Sequence, residues 1–352
     1  MRVVVVGGSG NVGTSVLRAV SADPAVESVI GVARRRPEFS LPKLEWVAAD
    51  IRTADLATIF RGADAVIHLA WVIQPSHDLA GLKSTNVGGS QRVFDAVVEA
   101  GVGAVVYASS IGAYSPGPKD RAVDESWPTD GIASSFYSRH KAATERQLDR
   151  LEAQHPEVRV VRLRKALIFK GEAGSGLRRL FLGSLLPAQV LRPSLIPVVP
   201  RTPGLRFQAV HTDDVAEAYR LATVGTVRGA FNIAADPVLD PDTLGELLSA
   251  RPVPVPAAVL RGATSLSWRV GIQPTPPGWV DLAMQVPIMD TTRARVQLGW
   301  TPRHSAGDAL LELLDGLREG SGVDTPPLSP WRGASAETKA ALEAIAAERR
   351  PA

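Results

Sequence analysis

The chain begins MRVVVVGGSGNVG, and no other stretch restricts the fold as much. Val3, Val4, Val5 and Val6 form an unbroken β-branched run, the composition of a strand buried on both faces of a parallel sheet. Gly7, Gly10 and Gly13 follow at three-residue spacing. From Asn11 onward Val12, Val16 and Val20 recur every four residues, as one apolar helix face does. Strand, glycine turn and helix in this order make a dinucleotide-binding fingerprint. The glycines permit a tight turn, close backbone approach to a pyrophosphate, and close helix–strand packing. The helix N-terminus offers free N–H groups and partial positive charge to the phosphates. Gly7, Gly10, Asn11, Val12 and Gly13 are therefore the first candidate cofactor contacts.

Apolar runs near 2–6, 28–33, 44–48, 65–69, 104–108 and 158–163 alternate with segments of helical period. That alternation predicts an α/β fold, a Rossmann-type doubly wound parallel sheet with a smaller C-terminal substrate lobe. Residues 1–165 read as the dinucleotide-binding core and 166–316 as a mixed substrate-binding lobe with segments returning to the core. Residues 317–352 read as a linker and C-terminal helix. In the second part FQAVH is strand-like, and Thr212, Asp213 and Asp214 suit the start of the helix that follows. The proline-rich stretches between 251 and 280 look irregular. EGSGVDTPPLSPWRG reads as a flexible spacer before a short helix capped by Ser335.

Composition excludes several classes. At 352 residues the chain can bury a large core, and 21% charged residues are too few for a disordered chain. Without cysteine there is no disulfide, thiolate nucleophile or zinc–thiolate site, and the six histidines lack metal-ligand spacing. The net charge is only +3 and no basic block exceeds Arg34-Arg35-Arg36, so nucleic acid is not an expected partner. The N-terminal apolar run is too short for a signal or membrane segment. A cytoplasmic protein acting on a small-molecule substrate is the expectation.

The second strand ends where an NAD-binding fold usually places an acid for the ribose 2′-hydroxyl. Here Ala33 is followed by Arg34 and Arg35, whose guanidiniums suit a 2′-phosphate. NADP is therefore the expected cofactor, with NAD as the alternative. Asp50 and Ile51, after the third strand, are candidates for the adenine. Leu69, Ala70 and Trp71 end the fourth strand, where the sheet edge meets the cofactor.

Chemistry enters with YASSIGAY and YSRHK. Tyr137 and Lys141 are four apart, on one helix face. A free phenol, of pKa about 10, is a poor base at neutral pH. A neighbouring ammonium and an oxidised nicotinamide stabilise the phenolate and lower that pKa. Tyr137 then exchanges a proton with a substrate oxygen while hydride moves. Ser110 is placed to hold that oxygen, and Lys141 to bind the cofactor ribose as well. With four tyrosines and seven lysines in the chain, a chance Y-x-x-x-K arises about 8% of the time. Its value comes from following a glycine fingerprint and a strand that ends in Ser-Ser.

Together these motifs resemble the extended short-chain dehydrogenase/reductases of the NAD-dependent epimerase/dehydratase family. The likeness runs from GGSGNVG through the HLA motif, NVGGS, SSIGAY, YSRHK and HTDDVAEA to MDTTRARVQLGW. It implies that Ser110, Tyr137 and Lys141 are the catalytic triad and that Asn86 belongs to the proton relay. It also implies a homodimer through a bundle of two helices from each subunit, and a C-terminal segment that completes the substrate lobe. HTDDVAEA and MDTTRARVQLGW read equally well as packing elements.

The departures shape the function. Family dehydratases commonly carry Asp-Glu after the catalytic hydroxyl residue, whereas Ser110 is followed by Ile111 and Gly112. Sugar dehydration is therefore not expected. The L-R-P-x-x-V-Y-G-P pattern of many nucleotide-sugar enzymes is replaced by LRKALIFKG, with Lys165 for the proline. Phe207 stands where such enzymes tend to place an arginine, and the 182–199 stretch is apolar. Arg178, Arg179, Arg192 and Arg201 leave a diphosphate grip open. The expectation is an NADP-dependent oxidoreductase acting on a carbonyl or secondary alcohol of a fairly apolar molecule. A nucleotide-sugar epimerase with retained NAD is the alternative. A dinucleotide-sensing regulator is a third class, and such proteins often lack the tyrosine or lysine kept here.

Overall fold

The computed structural model describes residues 1–73, 78–177, 197–269 and 276–330. The first half contains β1 (Arg2–Val6), α1 (Asn11–Ala22), β2 (Ser28–Ala33), β3 (Leu44–Ala48), α2 (Leu56–Phe60) and β4 (Ala65–His68). Next come α3 (Leu79–Lys83), α4 (Gly89–Glu99), β5 (Ala104–Tyr107), β6 (Ala122–Val123), α5 (Phe136–Gln154) and β7 (Arg159–Lys165). Then follow β8 (Leu167–Phe169), α6 (Gly174–Leu177), β9 (Val198–Arg201), β10 (Phe207–His211), α7 (Thr212–Val224), β11 (Gly229–Ile233) and β12 (Ala235–Leu239). The last elements are α8 (Pro241–Leu248), β13 (Arg251–Pro254), α9 (Ala257–Arg269), α10 (Gly278–Gln285), β14 (Ile288–Met289), α11 (Thr292–Gln297) and α12 (Ala306–Glu319).

Seven strands form one parallel sheet in the order β11-β7-β5-β4-β1-β2-β3. The valine run explains its burial. Val3 and Val5 join the core with Val16, Leu17 and Val20 of α1 and Val215 and Ala218 of α7. Val4 and Val6 point the other way, into a core with Val93, Phe94 and Val97 of α4 and Leu148 and Leu151 of α5. Both faces of β1 are thus apolar because helices cover both. The sheet order reverses between β1 and β4, the switch point at whose carboxyl end a crevice opens.

Six strands fall on the six apolar runs. The seventh, β11, returns from the second lobe to the sheet edge, and α7 packs on α1. The lobe itself holds β12-β10-β8 and the parallel pair β13-β9, while β14 pairs β6.

Two expectations are corrected. The stretch from Arg251 is not an irregular wall: β13 pairs β9, and α9 follows. Its prolines are tolerated because the pair is an isolated two-stranded ribbon with free outer edges. The segment after Gly316 is not a flexible spacer through Pro330. α12 continues to Glu319 and closes on Gly320 in the left-handed region, at φ 69°. The Ser321 carbonyl then accepts from the Ser175 amide, and Leu328 is buried. Arg178, Arg179 and Arg192, most of the apolar 182–199 stretch and the Ser335 helix lie outside the described residues. Among the described residues no helix is long and apolar enough to cross a membrane, and no cluster of ligands suits a metal.

Candidate active site

At the carboxyl end of β1 the chain turns through Gly7, at φ 86°. A Cβ there would stand 2.6 Å from the Ala70 amide nitrogen, so only glycine lets the turn lie against Leu69 and Ala70. A Cβ on Gly13 would stand 2.5 Å from the Gly7 and Gly8 carbonyl oxygens, which is the close helix approach that the fingerprint requires. Gly10 heads α1 without a capping side chain, and the buried Asn11 Oδ1 has no partner. A helix start with uncapped N–H groups and an orphaned polar atom beside it fits the pyrophosphate of a dinucleotide. Val12 lies in the first turn of the same helix.

Across the sheet, Arg34 and Arg35 are exposed after β2. Asp50 is held by Arg52, whose Nη2 lies 2.7 Å from Oδ2. That hydrogen bond, with Arg34 nearby, holds the Asp50 carboxyl below its usual range despite partial burial. Arg52 went unnoticed in the sequence, although it follows Asp50-Ile51 directly. Ile51 is buried against Gly89 of α4, where a Cβ would stand 2.6 Å from its Cδ1.

Ser110 lies just beyond β5 and caps the short turn Ile111–Ala113, its Oγ accepting from the Gly112 amide at 3.0 Å. Tyr137 is the second residue of α5, whose start is capped by Ser135. Ser138 Oγ donates to the Gly112 carbonyl at 2.5 Å and accepts from the Ile132 amide, fixing the helix on the serine turn. Tyr137 is flanked by Trp71, edge-on at 6.1 Å between centroids, and by Trp279 of α10, tilted at 5.1 Å. Burial pushes its phenol up to about 12, and a hydrogen bond with Ser110 pulls the other way.

Lys141 departs from the sequence expectation. It shares the helix face of Tyr137, but its Nζ donates to the Ala108 carbonyl at 2.6 Å and to Tyr107 Oη at 3.3 Å. It lies 3.4 Å from the Trp71 ring centroid and 5.9 Å from that of Tyr137. The buried ammonium takes the nearest carbonyl and π face, so it does not lower the phenol as the spacing alone suggests. Burial, then Lys165, pushes Lys141 well below the usual lysine range.

Asn86 is buried, and its side chain is paired within the site region. It sits in a π-helical turn, Ser84–Gly88, and its amide is committed to one residue. Oδ1 accepts from the Val72 amide at 2.8 Å and Nδ2 donates to the Val72 carbonyl at 2.9 Å. That pairing clips the segment that follows Trp71 to the turn that carries Asn86.

Behind the serine lies an ionic lattice that the sequence reading missed. Ser109 Oγ donates to Glu145 at 2.5 Å, and Glu145 pairs with Arg162 at 2.9 Å and Arg164 at 3.1 Å. Burial alone would raise the Glu145 carboxyl, but Arg164 and Arg162 outweigh it and bring it down to about 2. The signal was present: Tyr137, Lys141 and Glu145 recur every four residues, and Arg162 and Arg164 alternate along one strand.

The family model described as NAD dependent epimerase/dehydratase family matches residues 3–234. An uncharacterized protein of Mycobacterium tuberculosis is 26% identical over 350 residues, covering 98% of this chain and 34% of that protein. The chain thus spans about a third of the length of the curated relatives it matches first. L-arabinose 1-dehydrogenase (NAD(P)(+)) of Haloferax volcanii is 32% identical over 110 residues, 31% of this chain and 41% of that protein. Among solved structures, the UDP-glucose 4-epimerase of Thermus thermophilus in complex with NAD has a TM-score of 0.66 at 21% identity. The match covers 90% of this chain and 99% of that one.

Proposed function

The chain belongs to the NAD-dependent epimerase/dehydratase family, and from that premise we propose an NADP-dependent oxidoreductase of a carbonyl or secondary alcohol on a fairly apolar small molecule. The observation that carries the cofactor preference is the exposed Arg34-Arg35 pair directly after β2, with no acid at the strand end. The aromatic walls from Trp71 and Trp279 beside Tyr137 support an apolar substrate. The Haloferax relative is a dehydrogenase described with NAD(P)(+), which agrees with this reading.

NADPH, when bound, would supply the hydride. Tyr137 gives its proton to the substrate oxygen in reduction and takes it back in oxidation. Ser110 holds that oxygen by a hydrogen bond. Lys141, on the same face of α5 as Tyr137, would contribute ribose contacts. The uncapped first turn of α1 and Asn11 would hold the pyrophosphate, Arg34 and Arg35 the 2′-phosphate, and Asp50 with Ile51 the adenine. A homodimer through α4 and α5 belongs to the same proposal.

A second reading, a nucleotide-sugar epimerase with retained NAD, is favoured by a cavity of about 820 Å³ lined by Arg201, Arg206, Asp240 and Asp242. The Thermus structure is of such an epimerase with NAD. Against it, the Arg201 guanidinium is already paired with Asp242. The test is NADPH oxidation against a panel of ketones and aldehydes, wild type beside Tyr137→Phe. Tyrosine-dependent turnover supports the oxidoreductase. No turnover with any carbonyl, together with epimerisation of a UDP-sugar, overturns it.

A further inference from the structure

The Lys141 side chain has no open side while Trp71 stands where it does. An ammonium carries three N–H donors. Lys141 Nζ gives two of them to the Ala108 carbonyl and to Tyr107 Oη, both from buried residues. The remaining side is covered by the Trp71 indole, whose ring centroid lies 3.4 Å from Nζ. That is van der Waals contact, and no third group fits between them. Of the three partners only Trp71 is half-buried, and only it is held through a side chain that can turn. The buried indole Nε1 has no hydrogen-bond partner among the described residues, so leaving this seat breaks no hydrogen bond. The backbone on either side is pinned. The Leu69 amide donates to the Val6 carbonyl at 2.8 Å, and Val72 exchanges two hydrogen bonds with Asn86. Uncovering Lys141 is therefore a rotation of one side chain over a fixed backbone.

We propose that Trp71 sets cofactor affinity by capping Lys141: the ribose reaches the lysine only after the indole has turned away. The inference rests on the reading of Lys141 as a ribose contact. Seated, the ring gives a buried cation a π face in place of water. Turned out, it leaves that position to hydroxyl groups, which hydrogen-bond an ammonium. A protein whose competent form is a minor fraction of the population binds more weakly by that fraction. The same ring stands edge-on to Tyr137 at 6.1 Å between centroids, so its rotation opens one side of the phenol as well. A residue that only walled the substrate pocket would leave the contacts of Lys141 alone, whereas this ring is one of them.

The test is a double-mutant cycle read as dissociation constants from NADPH fluorescence titrations. NADH is titrated in parallel, because the ribose contact is common to both cofactors. Trp71→Ala is expected to tighten both by about fivefold or more, since no fraction of the protein is then capped. In a Lys141→Met background the same change should move affinity by less than about twofold, the covered group being gone. Trp71→Phe offers a weaker π face, is expected to lie between, and serves if the alanine variant does not fold. Unchanged or weaker binding in the folded variant overturns the proposal. So does an equal gain with and without Lys141, which would make the ring a steric obstacle rather than a cap. A Lys141→Met protein that binds both cofactors as well as wild type would instead overturn the ribose assignment beneath it.

Discussion

The Cβ that Gly112 lacks would stand 2.8 Å from Cε1 of Tyr137 and 3.4 Å from Oγ of Ser110. The phenol ring lies against the serine turn because nothing projects from that turn, and Trp71 and Trp279 leave the ring little room to retreat. Gly112→Ala is expected to lower kcat/KM by about tenfold to a hundredfold through misplacement of the phenol. NADPH affinity should change less than about threefold. Steady-state kinetics beside a fluorescence titration measures both, and unchanged turnover would show the ring to be free.

Tyr137→Phe removes the proton donor while keeping the ring between its two tryptophans. Turnover is expected to fall by at least about a hundredfold, with cofactor binding retained. Full activity in that variant contradicts the role given to Tyr137.

Arg34→Ala with Arg35→Ala deletes the proposed 2′-phosphate contacts. NADPH affinity should weaken by about tenfold or more, the worth of a charge-assisted hydrogen bond, while NADH affinity stays level. An unchanged ratio of the two affinities would assign the arginines to an ordinary solvated loop.

Stability should fall with acid in two windows. His68 is buried, hydrogen-bonds Ser90 through Nε2, and burial brings it from 6.5 down to about 3. Its unfolded form takes up a proton first, so stability declines as pH falls from 6.5 toward 3. Glu145 is a depressed carboxylate: its contribution is present above 4.5 and is lost as pH falls from there toward about 2. Removing one partner of such a buried lattice costs about 3–5 kcal/mol, so Glu145→Ala should show a large loss in urea unfolding at neutral pH. A loss below about 1 kcal/mol would mean that Arg162 and Arg164 find other partners.

The central strands were legible because each is a continuous apolar run bounded by turns, and the glycine turn because its spacing is set by local sterics. β11 was not, since Gly-Ala-Phe-Asn-Ile lacks a β-branched run and becomes a strand only by pairing along β7. α9 was hidden by Pro252, Pro254 and Pro256 just ahead of it. The residue types of the site were visible, but their partners were not. Lys141 turns to Ala108 because Trp71 and the carbonyl are nearer than the phenol, and Asn86 meets Val72 through a π-helical turn that no period announces. The Glu145 lattice joins α5 to β7 across the core, where local patterns carry no information about pairing.

Use of NADP as a dissociable reductant, as proposed, has a direct consequence for what the purified protein carries. The direct measurement is to denature the purified protein, identify any dinucleotide it releases, and titrate the emptied protein with NADPH and NADH. The account predicts little retained NAD and tighter binding of NADPH. Retained NAD with no preference for NADPH would contradict it and point to a cofactor recycled in place, as an epimerase requires.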